Sequence, residues 1–123
     1  MNNAIRAAYR GVVLIVDDTP ENLALLSDAL EVAGYMVLVA LDGHSALERI
    51  ERLRPDVVLL DVMMPGMDGF AICRHLKSQP DMADIPVLFM TALGESEHVL
   101  EGFAAGGSDY VTKPIKPDEV LAR

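Results

Sequence analysis

Tryptophan is absent from the 123 residues, and three tyrosines and three phenylalanines are the whole aromatic complement. A platform for stacking nucleic-acid bases is therefore poorly supplied. Cations are also scarce, with ten Lys and Arg against nineteen Asp and Glu and a net charge of −9. Direct nucleic-acid binding by this domain is not expected, because neutralising phosphates needs Lys and Arg. The single cysteine, Cys73, excludes an internal disulfide. It falls in an apolar helical pattern and reads as a small core residue. No apolar run is long enough to span a bilayer. The segment Met1–Arg10 lacks the charged-then-apolar pattern of a signal peptide. A cytoplasmic protein with no membrane contact is expected.

Other absences narrow the chemistry. His44, His75 and His98 fall in separate helical segments without paired ligand spacing, which argues against a transition-metal site. No glycine-rich turn follows the first apolar run, which argues against a Rossmann-type nucleotide site. Gly106–Gly107 follows a helical pattern without Walker spacing and reads as a helix stop.

What is present is alternation. Val12–Val16, Met36–Ala40, Val57–Leu60 and Pro86–Met90 are short, continuous apolar runs, and Asp109–Thr112 is a weaker one. Such runs suit strands buried on both faces of a parallel sheet. Helical stripes lie between them: Leu23, Leu26, Leu30 and Ala33; Ala46, Leu47, Ile50 and Leu53; Phe70, Cys73 and Leu76; and Val99, Leu100, Phe103 and Ala104. Gly34 and Pro55 stop the first two of these. A fifth helix begins near Pro117, where proline suits the first turn. The order β-α-β-α-β-α-β-α-β-α implies an α/β fold with helices on both faces of a parallel sheet. The last helix looks truncated at Arg123, and further sequence beyond it is expected.

Polar residues gather where the strands end. Asp17 and Asp18 follow the first run, Asp61 the third, Thr91 the fourth and Lys113 the fifth. Open α/β sheets bind ligands outside the carboxyl ends of their strands. Three carboxylates crowd poorly without a cation, and all-oxygen ligation suits Mg²⁺. A carboxylate beside Mg²⁺ can attack phosphorus and form an acyl phosphate. Lys113 and the Thr91 hydroxyl could then meet the phosphoryl oxygens. Each residue also has an ordinary reading. Asp18 or Thr19 could cap the helix that starts at Pro20. Asp61 could be a turn aspartate, Thr91 a cap and Lys113 a surface lysine. Their convergence on one sheet edge favours the shared site.

The segments VLIVDDTPENLALL, DVVLLDVMMPGMDGF, VLFMTA and AAGGSDYVTKP stand in the order and spacing of response-regulator receiver domains, the CheY-like family of two-component signalling. The resemblance covers about residues 11–123 and leaves 1–10 as a flexible N-terminal segment. It implies a flavodoxin-like (βα)5 three-layer sandwich with strand order 2-1-3-4-5. It also implies that Asp61 accepts a phosphoryl group from a histidine kinase or a histidine phosphotransfer protein. Asp17, Asp18, Asp61 and the Met63 backbone carbonyl would hold Mg²⁺. Thr91 and Lys113 would contact the phosphoryl group, Thr91 and Tyr110 would act as the switch, and the Lys113–Pro114 bond would be cis.

Under this resemblance the domain is a signalling phosphoacceptor rather than an enzyme with its own substrate. The face of the fourth helix, fifth strand and fifth helix would change and could form a homodimer. An output domain is expected beyond residue 123. Met63 and Leu93, two residues after Asp61 and Thr91, are both apolar and orient an attacking water poorly. Slow loss of the phosphoryl group is therefore expected, and the small Ala92 leaves it accessible to partner enzymes. The competing readings are a docking module of the same fold that is never phosphorylated, and a phosphatase with an aspartyl nucleophile. The complete residue set argues against the first. The second would want an aspartate where Met63 stands.

Overall fold

The computed structural model describes residues 9–62, 69–91 and 109–112, and for Thr91 and 109–112 it describes the backbone alone. Five strands form one parallel sheet: β1 (Val12–Val16), β2 (Met36–Ala40), β3 (Val57–Asp61), β4 (Val87–Thr91) and β5 (Asp109–Thr112). Their spatial order is β2-β1-β3-β4-β5, the flavodoxin-like order implied by the resemblance. Three helices are described: α1 (Pro20–Val32), α2 (Gly43–Arg52) and α3 (Gly69–Lys77). The expected fourth and fifth helices lie outside the described residues.

The central strands are apolar on both faces because both faces are covered. All five β1 residues are buried. Side chains alternate across a strand with period two, and the core divides accordingly. Leu14 and Val16 pack with Val58, Leu60, Ala46, Ile50, Phe70, Cys73 and Leu76, so α2 and α3 cover one face. Val13 and Ile15 pack with Leu59, Leu23, Leu26 and Leu30, so α1 covers the other. Cys73 is fully buried, as its helical pattern suggested. Burial pushes its thiol pKa up, against smaller opposing effects from Lys77 and Arg74. Phe70 and Phe89 meet in a tilted pair with ring centroids 5.1 Å apart.

Helix ends follow local chemistry. α1 starts with Pro20 in its first turn and ends before Gly34, whose φ of +100° is costly for any side chain. The Gly34 and Tyr35 N–H groups donate to Glu31 and Leu30 carbonyls, closing the helix with a Schellman motif. Asp42 caps α2 by accepting the Ser45 N–H at 2.8 Å.

Two strands differ from the sequence expectation, each limit by one residue: the end of β3 and both ends of β4. β3 runs on through Asp61, which pairs in register with Met90, and β4 runs from Val87 to Thr91. Asp61 and Thr91 are thus the last residues of their strands rather than the first residues after them. The ladder continues past the apolar run because its hydrogen bonds come from the backbone, whatever the side chain. Pro86, which has no N–H to give, contributes only its carbonyl, accepting from the Val58 N–H at 3.0 Å.

Candidate functional site

Three aspartates meet at the carboxyl edge of the central strands. Asp17 extends β1 by one residue, donating its N–H to the Ala40 carbonyl at 3.1 Å. Asp18 follows it, and Asp61 ends the neighbouring β3. One carboxylate oxygen from each of the three lies within 4.8 Å of the others. Asp17 is 1% and Asp61 2% exposed, and they are the buried charged residues among those described. Asp18 is exposed. Two buried carboxylates and an exposed third form an all-oxygen, anionic cluster. That donor set fits a hard divalent cation that keeps some of its waters.

The local chain explains how Asp17 is held. Its Oδ1 accepts the Thr19 N–H at 2.9 Å, and its Oδ2 accepts Asn22 Nδ2 at 3.4 Å. The start of α1 therefore points at this carboxylate, and the positive end of the helix favours its charge. Thr19 occupies the cap position of α1, but its side chain makes no capping hydrogen bond. The capping reading of Asp18 or Thr19 is thereby corrected. Asp17, two residues before the cap position, takes the orphan N–H instead, and Asp18 makes no hydrogen bond of its own among the described residues.

Behind Asp61 sits Gly69, the first residue of α3. Its N–H donates to the Val62 carbonyl at 3.2 Å. A Cβ at this position would meet the Asp61 carbonyl oxygen well inside contact distance and lie 3.1 Å from the Val62 Cα. A glycine here lets α3 close onto the strand end that carries Asp61.

Thr91 ends β4, in register with Thr112 of β5, and so lies at the same sheet edge as Asp61. Tyr110 is in β5, paired with Phe89. Met63, Ala92, Leu93, Lys113 and Pro114 lie outside the described residues, as does the Lys113–Pro114 bond. The site residue that sequence reasoning missed is Asn22. Its signal was an amide one helical turn past a paired aspartate, which is visible only once the helix start is fixed at Pro20.

The family model described as the response regulator receiver domain matches residues 13–123. The DNA-binding dual master transcriptional regulator RpaA of Synechocystis is 45% identical over 111 residues, which are 90% of this chain and 46% of RpaA. The response regulator PleD of Caulobacter vibrioides is 46% identical over 111 residues, 90% of this chain and 24% of PleD. The chain thus spans less than half the length of these relatives. Among solved structures, the chemotaxis protein CheY4 of Vibrio cholerae superposes with a TM-score of 0.85 at 35% identity, covering 90% of this chain and 92% of that one. The signal receiver domain of a signal transduction histidine kinase from Syntrophus aciditrophicus gives 0.83 at 38% identity, covering 91% and 85%. No described helix is long and apolar enough to cross a membrane.

Proposed function

This chain belongs to the response regulator receiver domain family of two-component signalling, and on that premise we propose that Asp61 is its phosphoacceptor. The observation that carries the reading is the approach of one oxygen each from Asp17, Asp18 and Asp61 to within 4.8 Å at the carboxyl edge of the sheet. The donors are a histidine kinase or a histidine phosphotransfer protein. An Asp61 carboxylate oxygen attacks phosphorus, a P–O bond forms and the P–N bond to the donor imidazole breaks. The imidazole keeps that electron pair and takes up a proton.

Asp17, Asp18, Asp61 and the Met63 carbonyl are the groups that would hold Mg²⁺, which supplies neutralisation of phosphoryl charge when bound. One oxygen of Asp17 is held by the Thr19 N–H. Asp61 is held at the end of a paired strand with α3 closed behind it. Thr91 and Lys113 contact the phosphoryl oxygens. The added charge and acceptor atoms then bias Thr91 and Tyr110 toward a second arrangement that a partner reads. The partner-facing surface is that of the fourth helix, β5 and the fifth helix, and it is also the candidate dimer face. Met63 and Leu93 make loss of the phosphoryl group slow.

The test is phosphorylation of the purified chain with acetyl phosphate and Mg²⁺. An intact-mass gain of one phosphoryl group, labile to hydroxylamine and abolished by EDTA, is the expected result. Asp61→Asn should take up none. Equal labelling of that variant would sink the assignment.

A further inference from the structure

Asp17 is a buried carboxylate held on both of its oxygens. It is 1% exposed, and each of its oxygens accepts one hydrogen bond: Oδ1 from the Thr19 N–H at 2.9 Å, Oδ2 from Asn22 Nδ2 at 3.4 Å. A backbone donor on one oxygen fixes that oxygen alone and leaves the plane of the carboxylate free to turn. A second donor on the other oxygen fixes the plane. Each carboxylate oxygen carries two lone pairs, so one hydrogen bond apiece leaves both oxygens able to bind a cation. Asn22 is itself well held: it is half-buried in the first turn of α1, and its N–H donates to the Thr19 carbonyl at 3.1 Å. It supplies the one side-chain hydrogen bond to Asp17 among the described residues.

We propose that Asn22 is a positioning residue that fixes the plane of the Asp17 carboxylate and so sets the affinity of the three-aspartate cluster for a divalent cation. The inference rests on the metal-binding part of the reading above, with Asn22 acting through Asp17 and not on the metal directly. Hydrogen-bonding partners of metal ligands commonly change affinity by about 10–100-fold when removed. The Asn22 bond is long, so a loss of about tenfold is expected.

The experiment is a calorimetric Mg²⁺ titration of the chain, its Asn22→Leu and Asn22→Gln variants, together with melting temperatures in EDTA and in saturating Mg²⁺. Asn22→Leu, with no donor, should bind Mg²⁺ about tenfold more weakly. Asn22→Gln, whose amide reaches further, should recover part of that loss. Mg²⁺ affinity within about twofold of the parent in Asn22→Leu overturns the proposal. A structural role at the helix start would lower both melting temperatures equally and leave the affinity unmoved, and that outcome also overturns it. Should Asn22→Leu fail to fold, Asn22→Ala carries the same reading. If the parent chain binds Mg²⁺ but takes up no phosphoryl group, the phosphoacceptor assignment fails while this inference stands. If the parent does not bind Mg²⁺, both fall.

Discussion

At the amino edge of the sheet, the charged side chains are committed to the backbone. Asp56 accepts the Val12 N–H at 2.7 Å across 44 residues of sequence. The Lys77 ammonium donates to the Ala83 carbonyl at 2.8 Å and to the Ile85 carbonyl at 2.7 Å. Arg10 donates to the Ala33 carbonyl and lies 5.1 Å from the Tyr35 ring centroid. At the carboxyl edge, three carboxylates come together instead, with Asp17 accepting hydrogen bonds from Thr19 and Asn22. Charge at the amino edge joins chain segments. Charge at the carboxyl edge is gathered among like charges, and on the proposed function a cation would relieve it. Removing charge should therefore have opposite effects on stability at the two edges.

The sharpest test at the carboxyl edge is Asp17→Asn. Asparagine keeps an oxygen to accept from Thr19 and removes one of three neighbouring charges. Mg²⁺ affinity should fall by more than about 100-fold, beyond the range typical for losing an outer partner. In EDTA the variant should be more stable than the parent by on the order of 1 kcal/mol, the repulsion being screened through the exposed Asp18. Thermal melts with and without Mg²⁺ would check both signs. A variant destabilised in EDTA would break the comparison.

At the amino edge, Asp56→Ala and Lys77→Met should each lower stability, by about 2 kcal/mol, because each strands backbone groups that a charged partner satisfied. Urea denaturation measures the loss. Neither change should alter Mg²⁺ affinity or phosphoryl uptake, since both residues lie at the far edge of the sheet. A shift in either would mean that the two edges are coupled.

The contrast was only half legible in the sequence. The central strands were readable because VVLIV and VVLL are short continuous apolar runs, which suit strands buried on both faces of a parallel sheet; MVLVA read the same way, but β2 is an edge strand, largely half-buried with Val39 exposed. Asp17, Asp18 and Asp61 were readable because a charged residue at the end of such a run has few places to go. The amino edge was not. Asp56 and Lys77 look like surface residues in sequence, and their backbone partners are set by tertiary register. Asn22 escaped for a related reason: its contact with Asp17 depends on where α1 begins. The one-residue extension of β3 through Asp61 was hidden because side-chain polarity marks the end of burial, whereas the ladder ends where backbone pairing does. Tyr110 fell in its expected strand, and Thr91, expected just after its strand, closes β4 at the expected edge.

The smallest expected effect belongs to Asp42, also on the carboxyl side of the sheet, between β2 and α2, but outside the cluster. Its carboxyl pKa is lowered, first by the hydrogen bond from the Ser45 backbone N–H, against an opposing desolvation effect and with lesser help from the Ser45 side chain and His44. A carboxylate whose folded pKa lies below its unfolded value contributes stability above the unfolded pKa, and loses it as pH falls through the folded one. Asp42→Ala should therefore cost a little stability at neutral pH, the ordinary cost of losing a helix cap. The difference from the parent should shrink as the solution is acidified below the usual carboxylate range. Urea midpoints of the two proteins from neutral to acidic pH would show it. A gap that stays constant as the carboxyl protonates would mean that the cap acts through shape alone.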